Sequence, residues 1–313
     1  MPASQRAGEG GSRRGGYLIG LIGSGIGSSL SPALHEREAD RLGVRYLYRL
    51  LDIDDLALPA AAIGDLLSAA RLAGYDGVNV THPGKQLVLD HLDELSPETA
   101  DLGAANTVVF TGGRAIGHNT DWSGFARAVG RGLPDASLDA VVLLGAGGAG
   151  SAVAHAVLTL GAGHVRIFDL DARRGAALVE ALRARFGADR VSGGRLSDGG
   201  AELAAALRSA DGLVHATPTG MAAHPGLPVP VDLLRPRLWV ADVVYRPLDT
   251  ELVTAARERG CRVLDGGRMA VFQAADSFRL FTGIDPDEEA MMRHFDALVG
   301  AAGAGKRDAH ARR

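Results

Sequence analysis

Val141-Val142-Leu143-Leu144-Gly145-Ala146-Gly147-Gly148-Ala149-Gly150 is an uninterrupted apolar run that ends in a cluster of glycines. Such a run reads as a strand buried on both faces, and the Ala-rich stretch 151–160 reads as the helix after it. Strand, glycine turn and helix in that order form the phosphate-binding unit of a dinucleotide fold. Gly145 permits the tight turn, Gly147 lets backbone approach a pyrophosphate, and Gly150 lets the helix pack on the strand. Ala146, Gly148 and Ala149 complete the turn, and the helix N-terminus offers amide donors and a positive dipole to the phosphates.

The next strand ends at Phe168-Asp169, about 20 residues after the fingerprint, where a carboxylate accepts hydrogen bonds from the adenosine ribose. That carboxylate also repels a 2′-phosphate. Arg173 and Arg174 open the following helix, and arginine can grip such a phosphate through paired hydrogen bonds. Asp169 occupies the deciding position, so NAD is expected to be preferred over NADP, with Arg174 counted among the cofactor-binding residues. The bland alternative is that Asp169 caps that helix.

Working outward, apolar runs at 141–144, 165–168, 212–215, 239–244 and 261–264 alternate with Ala-rich helical stretches. Repeated units of this kind predict a doubly wound parallel sheet, the Rossmann type. Upstream, a strand at 17–22 precedes Ser31-Pro32, a helix cap and first-turn proline for a helix ending at Gly43. A strand at 46–52, a helix through Leu66 and Leu72 stopped by Gly74, and a strand at 77–81 follow. Residues 107–110 before Gly112-Gly113 read as a hairpin. A linker at 132–139 contains Pro134, and the last segments, 268–281 and 287–298, are helical with no strand to join the sheet. They are expected to pack back on the first domain.

The predicted class is therefore α/β. An N-terminal α/β substrate domain over 17–121, joined by 267–300, accompanies a Rossmann-type dinucleotide-binding domain over 122–266. Flexible tails are expected at 1–16 and 301–313, and the cleft between the domains is the expected ligand site.

With 313 residues, 46% of them apolar, the chain suits two ordinary cores. Its 33 basic and 37 acidic residues nearly cancel, which leaves no strong field for nucleic acid or an anionic membrane. Partners should be small molecules. The single cysteine, Cys261, makes no internal disulfide and has no companions for a Cys-rich metal site, which points to a reducing compartment, the cytoplasm. Ser12-Arg13-Arg14 ahead of the apolar run 17–26 superficially resembles a twin-arginine export signal, but Gly20, Gly23 and Gly25 break that run. No apolar stretch approaches the roughly 20 residues needed to span a bilayer.

The remaining distinctive segments end strands or open helices. They are Ser28-Ser29-Leu30-Ser31-Pro32, Asn79-Val80-Thr81-His82-Pro83-Gly84-Lys85, Gly103-Ala104-Ala105-Asn106-Thr107 and Gly117-His118-Asn119-Thr120-Asp121. With Ala216-Thr217-Pro218-Thr219-Gly220-Met221, Asp242-Val243-Val244-Tyr245-Arg246-Pro247 and Gln273-Ala274-Ala275, they resemble the shikimate dehydrogenase family in order and spacing, from about Leu18 to Gly283. The resemblance implies reversible hydride transfer between shikimate and 3-dehydroshikimate, with Lys85 and Asp121 as the catalytic pair. It implies substrate contacts at Ser29, Ser31, Thr81, Asn106, Tyr245 and Gln273, with Asn79 close by. Val243 and Gly266 then match positions near the nicotinamide, and Thr217 and Met221 lie along the cofactor.

The chemistry asks for such groups. Removing hydride from a secondary alcohol requires its hydroxyl proton to leave too, and the reverse requires protonation of a developing alkoxide. A lysine ammonium donates a proton readily near neutrality, whereas taking one calls for desolvation or a neighbouring cation. A polyol ring demands many directional partners, which the Ser, Thr, Asn, Tyr and Gln set supplies, and its carboxylate needs hydroxyl donors. Taken singly, Ser31 and Asp121 also read as helix caps and Lys85 as a surface lysine. His82 and His118 flank the motifs but match no catalytic group of the family and read as structural. No metal-ligand spacing appears, and hydride transfer needs none.

Gly84 and Arg268 depart from the family's usual residues. Thr-His-Pro-x-Lys-Gln, Asp169 and Asp265-Gly-x-Arg-Met resemble the NAD-using quinate and shikimate dehydrogenase branch. That branch often carries threonine where this chain has Ser31, while shikimate-preferring members carry serine. The competing readings are a catabolic quinate dehydrogenase, a non-catalytic shikimate- or quinate-binding regulator, and a folate-linked two-domain dehydrogenase. Retention of Lys85 and Asp121 argues against the second, and the hydroxyl-rich set against the third. A homodimer is left open.

Overall fold

The computed structural model describes residues 15–196 and 200–310, the stretch 302–310 only as helix. Ser12-Arg13-Arg14, the rest of 1–14, and 311–313 lie outside the described residues. The first half runs β1 (Tyr17–Gly23), α1 (Ser31–Arg41), β2 (Tyr46–Asp52), α2 (Ile63–Leu72), β3 (Gly77–Val80), α3 (Gly84–Leu87) and β4 (Glu94–Leu95). It continues through α4 (Pro97–Leu102), β5 (Thr107–Thr111), β6 (Arg114–His118) and α5 (Thr120–Gly132). Its strands form one sheet in the order β2-β1-β3-β5-β6-β4. β1 pairs in parallel with β2 and β3, whereas β5 and β6 form the expected antiparallel hairpin.

The second half runs β7 (Ala140–Leu144), α6 (Gly148–Thr159), β8 (His164–Phe168), α7 (Ala172–Phe186), β9 (Val191–Gly194), α8 (Ala201–Ser209) and β10 (Gly212–His215). Then come β11 (Trp239–Asp242), α9 (Glu251–Glu258), β12 (Arg262–Leu264), α10 (Gly266–Thr282) and α11 (Glu288–His310). All pairings in this sheet are parallel, in the order β12-β11-β10-β7-β8-β9. Strand order reverses between β7 and β10, the switch point where open α/β sheets bind ligands.

Both faces of this sheet are covered, which explains its continuous apolar strands. Val141 and Leu143 pack with α5, α6 and α7, while Val142 and Leu144 pack with α8 and α9. The sixth strand, β9, escapes the sequence reading because it is short and ends in two glycines. Gly194 has a packing reason: a Cβ there would lie 2.1 Å from the Phe168 ring. The last helix runs to His310, past the boundary read at 300.

Three capping expectations are corrected. Leu30 is the N-cap of α1 and Ser31 its first residue, and no side-chain cap hydrogen bond forms. Asn119, not Asp121, caps α5, taking the amides of Asp121 and Trp122, and Asp171, not Asp169, caps α7.

His35 of α1 is 1% exposed, ringed by Tyr46, Tyr48, Phe278 and Phe281, with Nδ1 2.9 Å from the Tyr46 hydroxyl. Burial lowers its pKa to about 3. The unfolded chain, titrating near 6.5, therefore takes up the proton first, so stability present above that value is lost as pH falls toward the folded value. Between pH 7 and pH 5 the loss from this residue should be about 2 kcal/mol. Urea unfolding at both pH values checks it, since His35→Leu should flatten that part of the slope. An equal slope in both proteins would remove His35 as its source.

Candidate active site

Lys85 enters on α3, directly after the turn that leaves β3, and Asp121 enters in the first turn of α5. Lys85 Nζ donates to Asp121 Oδ2 at 2.5 Å, with the two side chains 18% and 8% exposed. Because Asn119 caps the helix, the Asp121 carboxylate is left for other partners. Its Oδ1 accepts from Asn106 Nδ2 at 2.9 Å, so both oxygens are held. The Asn106 oxygen takes the Thr120 amide at 2.7 Å, which locks the amide orientation.

Below this pair lies a buried polar floor. Asn79 Nδ2 donates toward Thr107 Oγ1 at 2.9 Å, Ser277 Oγ at 3.1 Å and the Asn106 carbonyl at 3.2 Å. Asn79 Oδ1 accepts from the Tyr48 hydroxyl at 2.8 Å. Ser277 Oγ also lies 3.0 Å from Thr107 Oγ1 and 3.1 Å from Thr120 Oγ1. Asn79, expected near the substrate, thus spends its polar atoms inside the protein and orients its neighbours.

Tyr48 and Ser277 are the residues that sequence reasoning missed. Tyr48 is 4% exposed, and burial holds its phenol well above the usual tyrosine range, so it stays a donor. It also hydrogen-bonds Ser31, linking that hydroxyl to Asn79. Ser29 hydrogen-bonds Tyr245, whose phenol is likewise raised by burial, and its Oγ accepts the Ser31 amide at 3.2 Å. Four hydroxyls from three segments thereby converge. Arg246, next to Tyr245, reaches the Ser28 carbonyl from the other half of the chain. Thr81 follows β3, its amide bonded to the Ile22 carbonyl, and Gln273 sits on α10 with its amide on the Ala270 carbonyl.

The fingerprint faces this group. Gly145 has φ +102°, and a Cβ there would meet the Ala216 carbonyl oxygen at 2.5 Å; one on Gly150 would lie 2.1 Å from the Gly145 oxygen. A Cβ on Gly147 would meet nothing within 4 Å, leaving that backbone open to a ligand. The helix starts at Gly148, within the fingerprint. Gly148 abuts the Lys85 stem, with its notional Cβ 3.3 Å from Lys85 Cδ. Ser151 Oγ donates to the Leu102 carbonyl at 2.9 Å, a second tie between the halves.

Asp169 Oδ2 accepts the Ala146 amide at 2.6 Å, and Oδ1 accepts the Asp171 amide and Arg174 Nη2, both at 2.7 Å. Burial alone would raise this carboxyl, but Arg174 and the two amides outweigh it and its pKa is lowered. Arg173 contributes only its backbone amide, to Asp171. Thr217 and Met221 lie in the loop after β10, Met221 44% exposed. Val243 follows β11, and Gly266 approaches so closely that a Cβ would lie 2.7 Å from the Val243 oxygen.

Comparison with known proteins shows what the chain is similar to. The family described as shikimate dehydrogenase substrate binding domain matches residues 21–108, and that described as shikimate 5′-dehydrogenase C-terminal domain matches 267–294. A shikimate dehydrogenase (NADP(+)) of Streptomyces avermitilis is 61% identical over 286 residues, covering 91% of this chain and 97% of the relative. A quinate/shikimate dehydrogenase (NAD(+)) of Corynebacterium efficiens is 48% identical, covering 90% and 98%. The solved quinate dehydrogenase of Corynebacterium glutamicum in complex with NAD superposes with a TM-score of 0.83 at 46% identity, covering 90% of this chain and 99% of the other.

Proposed function

This chain belongs to the shikimate dehydrogenase family, and from that premise we propose how it divides the work of interconverting shikimate and 3-dehydroshikimate with a nicotinamide cofactor. The observation that carries the reading is the Lys85–Asp121 pair set against Gly148, where the helix of the nucleotide fingerprint begins. The nicotinamide supplies or accepts the hydride. Lys85 Nζ handles the proton on the ring oxygen, and Asp121 orients it and accepts from a neighbouring ring hydroxyl. Asn106, Thr81 and Gln273 take further hydroxyls, while Ser29, Ser31 and Tyr245 hold the carboxylate. In this reading 17–121 with 267–300 form the substrate domain and 122–266 the nucleotide domain. The cytoplasm suits its lone buried thiol, Cys261.

The open turn at Gly147 and the amide donors of α6 fit a pyrophosphate. We assign the preference to NAD. Asp169 carries a depressed pKa and is anionic at neutral pH, so it favours ribose hydroxyls over a phosphate. Arg174 is already committed to that carboxylate. Some quinate turnover is expected beside shikimate. Specificity constants for shikimate and quinate, each with NAD and with NADP, test the whole reading. Asp169→Ala should narrow the NAD preference by about tenfold or more, because it both removes repulsion and frees Arg174. A wild-type preference for NADP would instead make Arg174 the deciding group.

A further inference from the structure

His215 and Asp242 end the paired parallel strands β10 and β11, directly opposite each other. Neither side chain has any exposure, and His215 Nδ1 lies 2.9 Å from Asp242 Oδ1. The same oxygen takes the Val244 amide at 3.0 Å, and Oδ2 takes the Thr250 hydroxyl at 2.7 Å. Since a carboxylate only accepts, Nδ1 donates to it, and with a single ring proton Nε2 is left as the acceptor. Thr217 Oγ1 lies 2.5 Å from Nε2 and donates to it, while accepting the Thr219 amide at 3.3 Å. One relay therefore runs from the loop after β10 to the segment after β11. Engaged from both sides, the Thr217 hydroxyl is held in place and is not a free nucleophile.

That loop packs directly on the fingerprint turn: the Ala216 oxygen and Thr217 Cγ2 lie 2.5 and 3.1 Å from where a Gly145 Cβ would be. The segment after β11 carries Val243 and Tyr245, and the Val243 amide bonds the His215 carbonyl at 3.0 Å. We propose that His215 is a positioning residue for the dinucleotide, fixing the 216–221 loop through Thr217 and the Val243–Tyr245 segment through Asp242. The inference rests on the reading that the 216–221 loop runs along the cofactor. Orienting a group through a buried neighbour saves the ordering cost that the ligand would otherwise meet on binding.

The test uses the full chain and NAD itself. Thr217→Val keeps the shape but removes the hydroxyl and should weaken NAD binding about fivefold or more, while Thr217→Ser should restore it. His215→Leu should repeat the effect, and the double variant should be no worse than either single one, because both break one relay. Thr217→Val keeps the test decisive if His215→Leu fails to fold. Hydrogen exchange in the wild type separates the two layers: NAD should slow the 216–221 amides. No slowing would overturn the loop's place beside the cofactor and this inference with it. Slowing together with unchanged NAD affinity in Thr217→Val, or additive losses in the double variant, would leave the loop where it is and overturn the role of His215 alone.

Discussion

Lys85→Ala should lower turnover by at least about a hundredfold, the usual scale for losing a general acid or base. Nucleotide affinity should hold nearly steady. Lys85 touches the nucleotide half only through its stem, at Gly148, and truncation leaves the fingerprint and Asp169 as they are. Its Nζ, by contrast, has Asp121 as its hydrogen-bond partner at 2.5 Å. A loss in turnover and in kcat/KM by the same factor is the signature of an interaction made only in the transition state. Steady-state kinetics with shikimate, together with a direct measurement of NAD affinity, check both halves. Near-normal turnover in a folded Lys85→Ala protein would take lysine out of the mechanism.

Asp121→Asn should cost a similar factor, about a hundredfold, for a different reason. The carboxylate accepts on both oxygens, from Lys85 on one side and Asn106 on the other. An amide has one acceptor oxygen and one donor nitrogen, so one of those two donors must face another donor. Either the ammonium loses its orientation or the Asn106 amide turns, and that turn would break its bond to the Thr120 amide. The double variant Lys85→Ala with Asp121→Asn should then lose far less than the product of the two factors, since the aspartate acts mainly through the lysine and adds only its own contact to a ring hydroxyl. If the losses multiply, Asp121 works on the substrate independently of Lys85.

Legibility in the sequence followed the range of the interaction. The fingerprint, Asp169, Lys85 and the Asn119-Thr120-Asp121 turn are local, with identity and spacing carrying the expectation. Tyr48 was read only as part of a strand, because alternation says which face a side chain takes but not which polar group it meets. Its partner Asn79 is 31 positions away, and Ser277 meets Asn79 from 198 positions away. Nothing in the periodicity of α10 distinguishes a serine that joins the floor from one that fills a helix face. Gly84, an unusual residue for the family, has a packing cause that is partly local and partly not: a Cβ there would lie 2.7 Å from Val80 Cγ1 and 2.8 Å from Ile63 Cδ1 of α2. Caps failed for a subtler reason. Ser31, Asp121 and Asp169 all suit a helix start, and only backbone placement shows that Leu30, Asn119 and Asp171 hold the position.

Ser277 joins the floor of the site from nearly the far end of the chain. On a ribosome, Tyr48, Asn79, Thr107 and Thr120 emerge long before it, and the first sheet can pair its strands while this last polar partner is still unmade. The two halves therefore cannot mature one after the other. All of the second sheet, from Ala140 to Leu264, must be synthesised before α10 can close the floor of the first. Catalytic competence is acquired at the end of translation. A chain cut short just after β12 would keep Lys85, Asp121 and the whole glycine fingerprint, yet it would present an unfinished pocket to the substrate.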